Sequence, residues 1–237
     1  MDAHDITIET ADGPMPAHEA RPAADARGGI VVVQEAFGIT EHIEDICHRV
    51  ADAGWMAIAP ALFHRQGSPV LDYGDMEKVR PVMGSLTKAT VTEDIAATLS
   101  YLETEGHGPE QSGIVGFCMG GTVALYTATQ HALGAAVTFY GGGIAEGRFG
   151  FPPQTEVAPN LRTPWLGLYG DLDQGIPSDD VEALRDAAKG AAVDTEVVRY
   201  ADANHGFNCN DRPAVYNADA AADAWSRTLA WFEAHIS

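Results

Sequence analysis

The stretch Gly116-Phe117-Cys118-Met119-Gly120-Gly121 follows a short apolar run that begins at Gly113. This order predicts a strand, a tight turn with Cys118 at its tip, and a helix that begins near Gly120. A nucleophile on such a turn needs small neighbours, because the backbone must bend sharply to lift the side chain off the sheet. The free N–H groups of the following helix favour a thiolate at Cys118. The alternative is that Cys118 is a buried structural cysteine beside glycines that pack a helix.

Apolar runs that predict buried strands alternate with amphipathic runs that predict helices along the rest of the chain. The predicted strands cover 28–34, 55–59, 113–117, 135–140, 164–169 and 195–200. The predicted helix caps are Thr40, Thr90 (paired with Glu93) and Ser178, and the last helix lies within 213–235. The pattern predicts an α/β fold, with a mostly parallel central sheet and helices on both faces, in one domain over residues 1–237. Reactive groups gather at the carboxyl ends of the strands in such a sheet.

The chain of 237 residues carries 34 acidic and 14 basic residues, a net charge of −20. This charge repels nucleic acid and anionic membranes, so we expect neither as a partner. The N-terminal segment lacks the apolar run of a secretory signal, and no stretch is long enough to span a membrane, so we expect a cytoplasmic location. The three cysteines, Cys47, Cys118 and Cys209, show no disulfide framework and no zinc-motif spacing.

Two further polar clusters follow predicted strands. Asp171 and Asp173 come after the strand that ends near Tyr169, and His205 comes after the next one. A nucleophile, an acid and a histidine in that chain order are typical of α/β-hydrolases. The residues alone leave both Asp171 and Asp173 as candidates for the acid. The alternative for His205 is a surface or capping histidine without a catalytic role.

The loop Gln34-Glu35-Ala36-Phe37-Gly38 follows the first long apolar run. In this arrangement the loop supplies one oxyanion donor, the Ala36 N–H, and the turn supplies the other, the Met119 N–H. Glu35 at the end of a buried strand needs a compensating partner. That partner is either an arginine such as Arg65 or the thiol, whose proton Glu35 holds or takes.

Four stretches together resemble the dienelactone hydrolase family (carboxymethylenebutenolidases): Gln34-Glu35-x-Phe37-Gly38, Gly116-x-Cys118-x-Gly120-Gly121, Gly170-x-x-Asp173-x-x-Ile176-Pro177 and His205-Gly206-Phe207. The resemblance covers 30–232. It implies Cys118 as nucleophile, His205 as base, Asp173 rather than Asp171 as the orienting acid, and Glu35 as the group that holds the thiol at rest. It also implies no metal and no organic cofactor.

Family members bind the substrate carboxylate with two arginines, and this sequence departs from that pattern. Cys209 stands at the position of one of them, which leaves Arg212 further along and Arg80 in the middle region as candidates. Phe37 is expected to wall the pocket. Tyr140 is expected either in the core or at the site.

A thiol nucleophile favours substrates with a good leaving group, such as enol-lactones, phenyl esters and thioesters, over alkyl esters. We therefore expect an ester hydrolase that acts on dienelactone-like enol-lactones, as a monomer or homodimer. The alternatives are a hydrolase of a different lactone, activated ester or thioester, and a non-catalytic protein that binds a small ligand. The third alternative is a thiol redox sensor in which Cys209 is the resolving cysteine.

Overall fold

Eight strands form one sheet in the order β1-β2-β4-β3-β5-β6-β7-β8 in this computed structural model, which describes all residues 1–237. The strands are β1 Asp2–Thr10, β2 Gly13–Arg21, β3 Gly29–Val33, β4 Met56–Pro60, β5 Ser112–Phe117, β6 Ala135–Phe139, β7 Trp165–Gly170 and β8 Thr195–Tyr200. The helices are α1 Glu41–Asp52, α2 Met76–Gly84, α3 Lys88–Thr104, α4 Met119–Gln130, α5 Gln154–Val157, α6 Ser178–Ala188 and α7 Ala218–His235. Strands β3 to β8 pair in parallel, and only the β1–β2 and β2–β4 pairings are antiparallel. The predicted fold, with its mostly parallel sheet, is confirmed.

The antiparallel hairpin β1–β2 is the part of the sheet that the sequence analysis did not predict. Its first strand reads DAHDITIET and is largely exposed, because β1 lies at the edge of the sheet. Polar residues on an edge strand give no apolar run. The turn at Gly13 has φ of 108°, a conformation that glycine adopts without strain.

Helices cover both faces of the sheet. On one face, α1 meets α7, where the Arg49 guanidinium carbon lies 4.1 Å from the centre of the Trp225 ring. On the other, α3 contacts α4. Strands β3, β4, β5 and β6 between these layers are completely buried, as the apolar runs indicated. No helix combines the length and the apolar character that crossing a bilayer requires.

Three predicted helix caps differ from the structure. The α3 cap is Thr87, whose hydroxyl accepts from the Thr90 N–H, so the helix begins earlier than the Thr90–Glu93 spacing predicted. Ser178 is the first residue of α6 rather than its cap. Thr40 does precede α1, but its side chain caps nothing, because its hydroxyl accepts a hydrogen bond from Tyr73 instead.

Candidate active site

Cys118 lies between β5 and α4 with φ of 55° and ψ of −115°. A positive φ strains any residue with a Cβ atom and persists only where the surroundings enforce it. Here the Cys118 N–H donates to the Phe139 carbonyl (3.1 Å), and the Cys118 carbonyl accepts from the Gly121 N–H (3.0 Å). The half-buried thiol is thereby held at the carboxyl edge of the sheet.

The glycines around Cys118 are required by close backbone contacts. A Cβ atom on Gly116 would overlap the Gly120 carbonyl, and one on Gly120 would overlap the Val33 carbonyl. A Cβ atom on Gly121 would lie 2.8 Å from the Phe139 carbonyl oxygen. The need for small residues that the sequence predicted therefore has a steric cause: α4 passes directly over β3 and β6.

His205 and Asp173 meet on the loops that follow β8 and β7. The imidazole Nδ1 lies 2.6 Å from Asp173 Oδ2, and Asp173 Oδ1 accepts a hydrogen bond from the Gly175 N–H (2.8 Å). The Asp173 side chain is only 3% exposed. Asp171 instead pairs with Arg199 at 2.6 Å, so of the two aspartates only Asp173 contacts the histidine.

The negative charge of Cys118 is the strongest of the influences that raise the pKa of His205, so the two form an ion pair when the thiol proton lies on the imidazole. Burial is the largest single influence on His205 and lowers its pKa. The negative charge of Cys118 and the hydrogen bond to Asp173 outweigh burial and raise the pKa of His205 to about 10. The imidazole is therefore protonated at neutral pH while the thiolate is present.

The two backbone N–H groups predicted for the oxyanion hole have no acceptor in the protein. Met119 is the first residue of α4, where N–H groups have no acceptor within the helix. The Ala36 N–H, on the loop after β3, donates to no group of the protein. Both N–H groups therefore stay candidates for donors to a ligand oxygen.

Glu35 is 1% exposed, and neither of its carboxylate oxygens has a hydrogen-bond partner. Arg65, the arginine considered as its partner, pairs with Asp94 and Asp12 instead. No hydrogen bond joins Glu35 to Cys118. The carboxylate is therefore uncompensated by any protein donor.

Arg212 lies over the rings of Phe37 and Tyr73, with its guanidinium carbon 5.5 and 5.4 Å from the two ring centres. It forms no ion pair with an acidic side chain, so its charge is free for a ligand. Arg80 is exposed on α2. The helix buries Val79, and the next residue points about 100° away around the helix axis.

Tyr140 belongs to both the core and the site. It is fully buried, has φ of 40°, and its ring centre lies 5.1 Å from that of His205. Its hydroxyl has no hydrogen-bond partner. Burial, followed by the charge of Glu35, raises the pKa of Tyr140 well above its ordinary value, so the phenol stays neutral.

Two residues near Glu35, His42 and Cys209, were not assigned to the site from the sequence. His42 lies on the buried face of α1, and Cys209 follows the His205 loop and lies 3.6 Å (Sγ to hydroxyl oxygen) from Tyr73. Burial, followed by the charge of Glu35, raises the pKa of Cys209 to about 11. The sequence signal that could have identified His42 is a histidine among the apolar positions of the helix, directly before Ile43.

The model of the dienelactone hydrolase family matches residues 15–236. A Yersinia pestis protein provisionally named a carboxymethylenebutenolidase is 39% identical over 98% of this chain and 88% of its own length. The crystal structure of a provisionally named dienelactone hydrolase from Klebsiella pneumoniae superposes with a TM-score of 0.87 at 38% identity, covering 98% of both chains. A dienelactone hydrolase-like promiscuous phosphotriesterase from metagenomic libraries shares the fold, with a TM-score of 0.81 at 23% identity over the whole of both chains. The chain belongs to the dienelactone hydrolase family.

Proposed function

We propose that this chain, a hydrolase by its family, cleaves enol-lactones and other activated esters through a Cys118–His205–Asp173 triad. The observation that carries the proposal is the position of His205, whose Nδ1 lies 2.6 Å from Asp173 Oδ2 and whose pKa is raised by the negative charge of Cys118. A nucleophile, a base and an orienting acid in such contact are the parts that nucleophilic catalysis needs.

The first step is attack of the Cys118 thiolate on the substrate carbonyl carbon. A C–S bond forms, and the carbonyl π electrons move to oxygen. The Ala36 and Met119 N–H groups, both free of protein acceptors, donate to this oxyanion. Each such donor contributes on the order of 10²-fold to the rate in comparable sites.

Collapse of the tetrahedral intermediate selects the substrate. Either the thiolate or the ester oxygen leaves, and a thiolate leaves far more readily than an alkoxide. An enolate or phenolate competes because its charge is delocalised. A thiol enzyme therefore prefers enol-lactones, phenyl esters and thioesters.

Acylation changes His205 from an acid to a base. The thiolate charge is the largest influence that raises the His205 pKa, and this charge disappears when the thioester forms. The imidazolium then gives its proton to the departing enolate. The neutral imidazole, held through Nδ1 by Asp173, takes a proton from water as the water attacks the thioester, and the acid and the Cys118 thiolate are released.

Glu35 has a supporting role in the proposal, carried over from the family. It takes or holds the thiol proton when Cys118 is not paired with His205. Its oxygens make no hydrogen bond in this structure, so contact with Cys118 requires a rotation of the glutamate side chain. Such a rotation breaks no hydrogen bond of the Glu35 side chain.

We further propose that Arg212 binds a substrate carboxylate, with Phe37 and Tyr140 walling the pocket. Arg212 is the cation near the site that lacks an acidic partner. In the proposal it supplies the positive charge that family members have at the position of Cys209. Arg212→Gln is expected to raise KM for a carboxylate-bearing lactone about tenfold, the loss of one charge-assisted bond, and to leave KM for p-nitrophenyl acetate unchanged. Arg80→Gln is the matched control and should change neither. Equal effects of the two variants would remove Arg212 from the proposal.

The function itself is tested by following dienelactone loss by ultraviolet absorbance, with p-nitrophenyl acetate in parallel and Cys118→Ala as the control. Turnover of both substrates by the wild type alone supports the proposal. Turnover of the phenyl ester alone supports the nucleophile and favours a hydrolase of a different lactone or ester. Tight dienelactone binding without turnover would favour a ligand-binding protein. Activity that survives in Cys118→Ala would exclude Cys118 as the nucleophile.

A further inference from the structure

Three metal-ligating side chains from separate segments converge behind the proposed oxyanion loop. Glu35 follows β3, His42 lies on α1, and Cys209 lies on the loop after His205. One carboxylate oxygen, one imidazole nitrogen and the thiol sulfur all lie within 4.8 Å of one another. All three residues are buried, the most accessible of them being 1% exposed. They are dispersed along the chain, so no motif marks them as a set.

Two of these side chains lack any hydrogen-bond partner in the protein. Both ring nitrogens of His42 and both oxygens of Glu35 are without one. Buried polar atoms in folded proteins nearly always have a partner, since leaving one unsatisfied costs about 1–3 kcal/mol. Four such atoms on two neighbouring buried residues indicate that the site is built for something besides the protein.

The chemistry of the cluster selects a cation. An ionised carboxylate, a neutral imidazole nitrogen and a thiolate all offer lone pairs. A water molecule has only two hydrogens to donate, whereas a metal ion accepts lone pairs from all three groups. A mixed set of oxygen, nitrogen and sulfur donors suits zinc and similar divalent transition metals, and not magnesium or calcium.

We propose that Glu35, His42 and Cys209 form a binding site for one divalent transition-metal ion of the zinc type. Zinc binds such ligands at about 2.0–2.3 Å, which places the ligand atoms roughly 3.5 Å apart. The cluster reaches this spacing by a contraction of about 1 Å, which side-chain rotation provides. Binding displaces the thiol proton of Cys209 to solvent, and three protein ligands leave a fourth position for water.

The ion would connect the loop after β3, helix α1 and the loop that carries His205. Apart from packing, the loop after β3 and the loop that carries His205 are joined here through Tyr73, which hydrogen-bonds both Thr40 and Cys209. Because an ion that binds only the folded state stabilises it by mass action, the metal-loaded protein should unfold at a higher temperature than the metal-free protein.

The test uses Co²⁺ as a spectroscopic probe of the full-length protein, freed of metal and kept reduced. We expect one Co²⁺ per chain, with visible bands of a four-coordinate ion and a near-ultraviolet band from thiolate-to-cobalt charge transfer. Cys209→Ser keeps the size of the side chain and should abolish the charge-transfer band. His42→Gln should weaken Co²⁺ binding at least tenfold, as loss of one ligand does. Cys118→Ala and Cys47→Ala should keep the band.

The rise in Tm with Zn²⁺ is the second readout, and it should be present in the wild type and absent in Cys209→Ser. Absence of Co²⁺ binding to the folded wild type would overturn the proposal. So would a charge-transfer band that survives in Cys209→Ser, or one that is lost in Cys118→Ala, because either places the metal on another thiol. These readouts do not depend on hydrolase activity, so they test the metal site separately from the Cys118–His205–Asp173 triad. A Glu35 that binds the metal does not hold the Cys118 proton, so the metal site replaces the supporting role proposed for Glu35.

Discussion

Replacing Asp173 with asparagine tests the triad most directly, because the structure gives its carboxylate two donors to satisfy. Oδ2 lies 2.6 Å from His205 Nδ1, and Oδ1 accepts from the Gly175 N–H at 2.8 Å. Asparagine has only one oxygen. If that oxygen keeps the Gly175 bond, the amide NH₂ faces Nδ1 and places the remaining imidazole proton on Nε2, towards Cys118. Such a tautomer cannot accept a proton from the thiol or from water.

The expected loss follows from the bond removed. A hydrogen bond to a charged group, buried as this one is, contributes about 1.5–3 kcal/mol, which corresponds to a roughly 10- to 150-fold fall in kcat. The pKa of His205 should also fall from about 10, since the Asp173 hydrogen bond is among its causes. Both are measurable: kcat on p-nitrophenyl acetate, and the pH dependence of Cys118 alkylation by iodoacetamide.

Asp171→Asn is the matched control, because Asp171 lies two residues away and pairs with Arg199 rather than His205. We expect the control to retain the kcat and the alkylation profile of the wild type. Equal kcat values for the two variants, with both folded by circular dichroism, would refute the assignment of Asp173 as the orienting acid.

Two other predictions concern folding and pH. Gly120→Ala brings a Cβ atom into the Val33 carbonyl, so it should lower the free energy of unfolding by about 3 kcal/mol or prevent folding. At Gly108 a Cβ atom meets nothing within 4 Å, so Gly108→Ala should change the free energy of unfolding by less than about 1 kcal/mol. Urea unfolding of the two variants compares these values. Because the folded-state pKa of His205 is raised, its stabilising contribution is complete below the ordinary pKa of 6.5 and is lost as pH rises through about 10. The Tm difference between wild type and Cys118→Ala should therefore shrink as pH rises through about 10, and a pH-independent difference would contradict the ion pair.

Much of the fold could be predicted because its central strands are buried on both faces. Such strands are continuous apolar runs, and the buried strands β5 (Ser112–Phe117) and β6 (Ala135–Phe139) each lie within one residue of their predicted bounds. The hairpin β1–β2 escaped prediction because an edge strand needs no such run. The α3 cap was misplaced because Thr87 offers the same hydroxyl as Thr90, and only the three-dimensional arrangement shows which one meets a free N–H.

The sequence by itself determined the family, the elbow around Cys118 and the loops that carry His205 and Asp173. These features are local: glycines permit a tight turn, and strand ends in a parallel sheet share one edge. Tertiary structure shows that Asp173 meets His205 while Asp171 pairs with Arg199, that Arg65 pairs away from Glu35, and that Arg212 lies over the ring of Phe37. It alone brought Glu35, His42 and Cys209 together. The physical reason is that distances between residues far apart in the chain depend on how loops pack, and neither composition nor spacing records them.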